Sequence, residues 1–532
     1  MKSIEIYDCT LREGEQADGA SFNLNERIEL AKLLDSFGVD YIELGWPHSN
    51  SEIFDSFKIV NKIIKRSKIV AFGSTSISDD VKNDENLNSI INTGAKFACI
   101  FGKTNLVHVN KQLKISAEEN LEKIKNSIIY LKEKGINVFY DAEHYFDGFR
   151  KNKEYAIKTL ISAAEAGALR LILCDTNGGS IPSYVKKVIK ETRKELLKKE
   201  IKISLGVHFH NDSGLALANT IISLPYIKQV QGTINGIGER LGNLNFSEFL
   251  PIYNKKLRGK IKINLKNLKK VNEEAYRLCG IQVPENRPFV GDLAFAHKAG
   301  VHIDAIMKGA SYEHANPKDF GNKRIILMNT LGGRSSIIHL AKEFGYKLNK
   351  NDNDVKEKIR NLFIELKKYE NSGYRIGAIK AEQYLLLKKY FDKEEKIFDI
   401  FEWEIKSELR EGKEYSYFRV TGRIDKELFE ENMIVEGGPV DAAFKTIKKV
   451  LKKNYPQVEK LNLVDFHVSI ARQNKEESAV RTKIDFKDEE EFSCVGVDKN
   501  ILGSCIEALE KGFRYYILKT KNKNFKDKND DK

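Results

Sequence analysis

Two histidines one residue apart, in His208-Phe209-His210, offer the most pointed chemistry in the chain. Side chains of a β-strand alternate with period two, so both imidazoles would leave the same face. Two neutral imidazoles and a carboxylate from another strand make a divalent-metal site with positions open for substrate. Taken alone, the triplet reads equally well as a pair of core or surface histidines. Glu13, beside Arg12 in the run Asp8-Cys9-Thr10-Leu11-Arg12-Glu13-Gly14-Glu15-Gln16, is the carboxylate expected to complete it. Arg12 and Glu13 could instead form a structural salt bridge with Glu43 or Asp8. Asp8, Glu43 and Asp175 are expected to stand behind the site, positioning Arg12 and the histidines. A site of this mixed kind accepts Zn, Mn, Mg or Co.

These residues need a scaffold that brings distant segments to one place. Short apolar runs alternate with helix-period segments through the first half of the chain. The expected strands are Ile4–Tyr7, Tyr41–Leu44, Ile69–Phe72, Phe97–Phe101, Val138–Tyr140, Leu169–Cys174, Ile203–Phe209 and Val230–Ile234, with helices such as Asn25–Phe37, Ala117–Lys134 and Lys153–Ala166 between them. Eight βα units in roughly 250 residues predict an α/β fold, a (β/α)8 TIM barrel. A doubly wound sheet would carry a Gly-rich phosphate turn after its first strand, and none stands there. Catalytic groups of such barrels stand where strands end. The strand exits here carry Arg12 and Glu13, Glu43, Asp141 and Glu143, Asp175 and Thr176, His208 to Asp212, and Asn235 to Arg240. The strand interiors are apolar.

The barrel is expected over residues 1–270, followed by Lys-rich helical linker subdomains over 271–400, with Ala294–Lys308 as one helix. A C-terminal α+β domain is expected over 401–520. Its strands are Tyr417–Thr421, Leu463–Ile470 and Val480–Phe486, and its helices Val440–Leu451 and Asn500–Lys511. Residues 521–532 are Lys/Asn/Asp-rich and read as a disordered tail. The chain of 532 residues is 41% hydrophobic and 31% charged, which is globular composition. No apolar run approaches the ~18 residues of a membrane span, and the first residues read as a strand rather than a signal peptide. A cytoplasmic protein without membrane contact is expected. The net charge of +13 comes from scattered Lys and no Arg-rich stripe, so no nucleic-acid partner is expected. None of the six cysteines forms a C-x-x-C pair, which argues against a thiolate zinc site or a disulfide framework; Cys99 and Cys174 read as small core residues.

Thr10–Gln16 (TLREGEQ), His208–Asp212 (HFHND) and Gly236–Asn243 (GIGERLGN) resemble the signatures of the isopropylmalate, homocitrate and citramalate synthase family of metal-dependent acyltransferases. Tyr140–Gly148, Leu173–Gly179, Gln231–Gly236, Ala294–His302, Phe101–Lys103 and Tyr312–His314 are similar to its citramalate synthase branch, and the likeness runs to about residue 518. One motif departs: Arg12-Glu13-Gly14 is R-E-G, as in homocitrate synthases, where the citramalate branch has R-D-G.

The resemblance implies condensation of acetyl-CoA with pyruvate, then thioester hydrolysis to citramalate and CoA, in isoleucine biosynthesis. It implies a divalent metal on Glu13, His208 and His210, with Asn243 a further oxygen ligand. Arg12 would stabilise the growing alkoxide and Thr176 would bind the pyruvate carboxylate. His302 would be the base, helped by Tyr312 and Glu143; His297 is a weaker candidate for that base, and a structural capping role is the alternative for His302. In related enzymes the segment of His302 and Tyr312 reaches the partner subunit's active site, which implies a homodimer. The C-terminal domain resembles the family's amino-acid-sensing regulatory domain. Glu436–Asp441 is similar to its effector loop, although a plain Gly-Pro turn opening a helix reads the same way. Isoleucine is the expected feedback effector. The rival substrates are 2-ketoisovalerate and 2-oxoglutarate, and a lyase running the reverse cleavage shares the barrel; a metal-bound amino-acid sensor without turnover is the alternative of another class.

Overall fold

The structure, a computed structural model, describes residues 3–310, 312–392, 397–473 and 478–521. The expected tail thus lies outside the described residues from 522 onward. The described residues divide into two compact units, those up to 295 with 315–323, and 296–314 with those from 324 onward.

The first unit holds eight parallel strands: β1 (Glu5–Asp8), β2 (Tyr41–Gly45), β3 (Lys68–Ser74), β4 (Phe97–Lys103), β5 (Asn137–Glu143), β6 (Arg170–Asp175), β7 (Leu205–Phe209) and β8 (Gln229–Gly232). Each pairs with its sequence neighbours, and β1 pairs with both β2 and β8, so the sheet closes into a barrel. All eight expected strands are present, with ends moved by a few residues. They are legible because a strand buried on both faces reads as a continuous apolar run.

Helices cover the outside, and their starts are written in the sequence. Leu24–Phe37 opens on a capping box: Asn23 Oδ1 accepts from Glu26 N, and the Glu26 carboxylate accepts from Asn23 N. Ala117–Glu133 opens on the same device, made by Ser116 and Glu119. Inside the barrel, Tyr7, Tyr41, Val70, Phe72, Cys99 and Phe139 form a buried layer of their own. The Phe139 ring meets those of Tyr41 and Tyr7 edge-on, at centroid distances of 5.1 and 5.8 Å. This filled interior is what makes the barrel a rigid mount rather than a pore. Cys99 and Cys174 are buried, as expected of core residues.

The second unit begins with two short paired strands, β9 (Ala296–His297) and β10 (Ile325–Ile326). The single helix expected over Ala294–Lys308 is therefore corrected: its first residues pair as a strand, and the helix runs only over Gly300–Met307. Helices Gly333–Glu343, Asn353–Ser372 and Lys380–Phe391 follow, around a core that includes Ile337, Leu340, Ile359 and Leu362. Two antiparallel sheets complete the unit. One contains β11 (Phe398–Arg410), β12 (Lys413–Ile424) and β13 (Glu427–Glu436); the other contains β14 (Asn462–Gln473), β15 (Ser478–Lys487) and β16 (Glu491–Asp498). Helices Pro439–Lys452 and Ile501–Lys521 share a core with them. Three of these strands, β11, β13 and β16, have no counterpart among the sequence expectations. β11 carries a charged residue at every second position from Glu402 to Arg410, which dilutes the apolar signal of a half-exposed strand.

Candidate metal centre and active site

His208 stands in β7, and His210 follows one residue after its end. Both are buried, and their ring centroids are 5.1 Å apart. Glu13 closes the short helix Thr10–Glu13 that leaves β1, and it too is buried. Ligand atoms of Glu13, His208 and His210 all lie within 4.8 Å of one another, with His208 Nε2 3.7 Å from Glu13 Oε1. The period-two reading of the histidines and the choice of Glu13 therefore converge on one point.

Asn243 arrives from the loop after β8 and forms an isolated antiparallel bridge with His210. It is 1% exposed, yet neither of its side-chain polar atoms has a hydrogen-bond partner among the described residues; Glu13 Oε2 is in the same position. Orphaned buried oxygens cost free energy unless something fills them. Gly238 keeps the space open, because a Cβ there would run into Asn243 Nδ2. Two imidazoles, a carboxylate and an unfilled amide oxygen suit a divalent cation.

The electrostatics agree with ligand chemistry. Burial pushes the Glu13 carboxyl up, but Arg12, His208 and His210 outweigh it and hold it down at about 2. Burial, then the neighbouring His208, lowers His210 to about 3, so its imidazole is neutral at physiological pH.

Arg12 bridges two carboxylates. Its Nε donates to Glu43 Oε1 at 2.5 Å, its Nη1 to Glu13 Oε1, and its guanidinium lies 3.8 Å from the centre of the Phe72 ring. Fully buried Glu43 also accepts from Tyr7 Oη. The salt bridge and the ligand cluster, alternatives in the sequence, coexist in the structure. Asp8 and Asp175 do not join them. Asp8 Oδ1 accepts from Thr10 N, and Asp175 accepts from Ser180 N and Oγ, so both carboxylates fasten the turns that leave their strands. Of the three acids expected behind Arg12 and the histidines, Glu43 stands behind Arg12, and the place behind His208 goes to a residue not singled out for it from sequence, Gln231. His208 Nδ1 meets Gln231 Oε1 at 2.8 Å, and Gln231 Nε2 donates to Asp141 Oδ1 at 3.3 Å. No local signal marks it, because β8 carries two buried glutamines, Gln229 and Gln231.

Thr176 Oγ1 accepts from His144 N at 2.9 Å. Glu143 Oε2 lies 2.5 Å from Lys103 Nζ. Arg240 donates to Asp212 Oδ1 and to Thr176 O, and its Nη2 is 3.3 Å from His210 Nδ1. The rim of the barrel thus unites Arg12, Glu13, His208, His210 and Asn243, with Thr176 tied to them through Arg240. His302 and Tyr312 belong to the second unit, where their rings stack at 4.4 Å and both are exposed. His297, the weaker candidate, is buried and engaged by Glu313 at 3.1 Å, which Arg324 holds in turn.

Three family models match the chain: HMGL-like over residues 3–274, homocitrate synthase post-HMGL domain-like over 289–368, and LeuA allosteric (dimerisation) domain over 379–517. Among curated proteins, the (R)-citramalate synthase of Sulfolobus acidocaldarius is 38% identical over 97% of each chain. That of Aquifex aeolicus is 38% identical over 97% of this chain and 98% of its own, and that of Geobacter sulfurreducens 37% over 98% of both.

Proposed function

The chain belongs to the HMGL-like family, and from that premise we propose that it is an acyltransferase that condenses acetyl-CoA with pyruvate and water to give (R)-citramalate and CoA. The observation that carries the reading is the buried cluster of Glu13, His208 and His210 beside the unfilled amide of Asn243, with Arg12 held at its edge between two carboxylates.

Glu13, His208, His210 and Asn243 Oδ1 are the residues that would hold a divalent cation. When bound, such an ion polarises the ketone of a 2-keto acid and offers it open positions. The remaining work falls to side chains. Arg12, whose direction Glu43 fixes, offers positive charge where the ketone oxygen becomes an alkoxide. Thr176 Oγ1 already accepts from His144 N, which leaves its own proton for the keto-acid carboxylate. The acetyl methyl of the thioester is a weak acid and needs a placed base. His302 is proposed to take that proton, with Tyr312 and Glu143 assisting; the methyl carbon then bonds to the ketone carbon, the alkoxide is protonated, and water cleaves the thioester to release CoA.

The LeuA-type domain gives the family an oligomeric, effector-responsive form. A homodimer in the cytoplasm, restrained by isoleucine at Glu436–Asp441, completes the proposal. In that segment Gly437 adopts φ +143 and Pro439 opens a helix, an arrangement suited to presenting backbone N–H groups.

A CoA-thiol release assay with pyruvate, 2-ketoisovalerate and 2-oxoglutarate tests the reading, with and without a chelator. Release with pyruvate, abolished by chelation, restored by a divalent ion and lowered by isoleucine, is expected. Thiol release with none of the keto acids would overturn the assignment, and a preference for another keto acid would overturn the substrate.

A further inference from the structure

Gln231 occupies a position in β8 directly across from His208 in β7. It is 1% exposed, and its amide lies between two polar groups of opposite demands. On one side is Asp141 Oδ1 at 3.3 Å, on β5 across the barrel interior; on the other is His208 Nδ1 at 2.8 Å. The Sγ of Cys99 lies 4.0 Å from Gln231 Nε2 and completes the surroundings.

A glutamine amide can be placed either way round, and the two choices have different chemical consequences. An ionised carboxylate only accepts hydrogen bonds, so Asp141 requires the NH2 end of Gln231 to face it. The carbonyl end must then face His208 Nδ1, and that nitrogen must carry the proton. A neutral imidazole has one N–H, so Nε2 is left with its lone pair, facing Glu13. With the amide reversed, its NH2 would face Nδ1, the imidazole proton would move to Nε2, and the lone pair would be lost from the ligand side.

We infer that Asp141 and Gln231 act as a two-step tautomer lock on His208, holding its Nε2 as a ready metal ligand before any ion arrives. Both are positioning residues, because neither offers a ligand atom and both act through His208. The inference rests on the metal reading proposed above and extends it to the residues that prepare one ligand. It also accounts for a polar chain in the barrel interior: a glutamine and an aspartate buried there would be costly unless each had a fixed partner. Loss of partners standing behind a metal-bound histidine typically weakens metal affinity by about 10- to 100-fold.

The test is Co2+ titration of the full-length apo-protein, followed by the visible absorption of bound Co2+, on native chain, Gln231→Leu, Asp141→Asn and the exchanged pair Gln231→Glu with Asp141→Asn. Each single variant is expected to bind Co2+ about 10- to 100-fold more weakly. The exchanged pair is expected to return to near-native affinity, because the carboxylate introduced at position 231 would accept from His208 Nδ1 while the amide introduced at position 141 donates to its second oxygen. Single variants with native affinity, or an exchanged pair no better than they are, would overturn the lock. If the singles fail to fold, the exchanged pair alone decides, since it keeps the hydrogen bonds that link His208 to position 141. No Co2+ uptake by the native chain would overturn the metal reading and the lock with it; native uptake with unaltered variants would overturn the lock only.

Discussion

Replacing Glu13 by Gln keeps the shape of the side chain and removes its charge, which isolates the electrostatic part of metal binding. With neutral histidines, Arg12, Glu13 and Glu43 together carry one net negative charge in the native centre. The Gln variant carries none, so a divalent ion would enter beside an arginine with only one carboxylate to balance it. Taking the 3.7 Å between Glu13 Oε1 and His208 Nε2 as an outer limit on the ion's distance, a unit charge and a divalent ion attract by about 9 kcal/mol at an effective dielectric near 20. The amide oxygen of Gln remains a ligand and recovers part of this, and the native carboxylate bears more desolvation. A net loss of about 4 kcal/mol is a reasonable residue, which is roughly a thousandfold in affinity. Mn2+ binding to the apo-protein, read by electron paramagnetic resonance of the free ion, measures it directly, and thiol release from acetyl-CoA and pyruvate should fall in parallel. Glu13→Asp, which keeps the carboxylate one methylene shorter, should bind far more tightly than the Gln variant. Equal Mn2+ affinity in native chain and Gln variant would refute the view that the Glu13 charge anchors the ion.

Two further outcomes follow from buried ionisable groups. Burial raises the Asp8 carboxyl to about 7, so the folded protein holds that proton more tightly than the unfolded chain does, and stability falls as pH rises from about 4 toward 7. Asp8→Asn keeps an acceptor for Thr10 N and should flatten that slope, with a gain at pH 8 of up to about 4 kcal/mol in urea unfolding; an unchanged slope would contradict the buried-carboxylate account. All six cysteines are buried, and burial pushes Cys9, Cys99, Cys174 and Cys494 well up and Cys279 to about 12. Native protein should therefore react with a thiol-specific disulfide reagent only as fast as it unfolds, releasing six equivalents per chain in guanidinium; a rapidly labelled thiol in the native state would contradict this.

The barrel and its rim were legible because both are written locally. A strand buried on two faces is apolar along its length, and its first polar residues mark where it ends. His208 and His210 could be assigned to one face from spacing alone. What was not legible depends on register between strands far apart in the chain. Which acid would hold Arg12 was open among Asp8, Glu43 and Asp175; the β1–β2 pairing of Tyr7 with Tyr41 and Asp8 with Ile42 sets how the two strand ends align, and the structure settles on Glu43. Asp8 and Asp175 follow a local rule, the carboxylate accepting from the turn that follows it, which sequence reasoning undervalued beside their charge. The link from His208 through Gln231 to Asp141 spans β7, β8 and β5 across the barrel, and no local pattern announces it. The helix expected over Ala294–Lys308 failed because β10 claims Ala296 and His297 for pairing, a partner that lies nearly thirty residues on.

The segment Ala315–Lys323 returns to the first unit after the chain has already entered the second. Phe320 covers Phe289 at a centroid distance of 5.0 Å, and Asn322 Nδ2 donates to the carbonyls of Phe289 and Gly291. During synthesis, the barrel unit therefore cannot finish when residue 295 leaves the ribosome. It waits for Lys323, 28 residues later, which at roughly 5–20 residues per second is an interval of a few seconds. Through that interval the aromatic edge around Phe289 and Phe295 is exposed on a nascent chain. The order of elements along the polypeptide thus sets a brief period in which the newborn enzyme would be open to chaperones, and to aggregation, at one defined place.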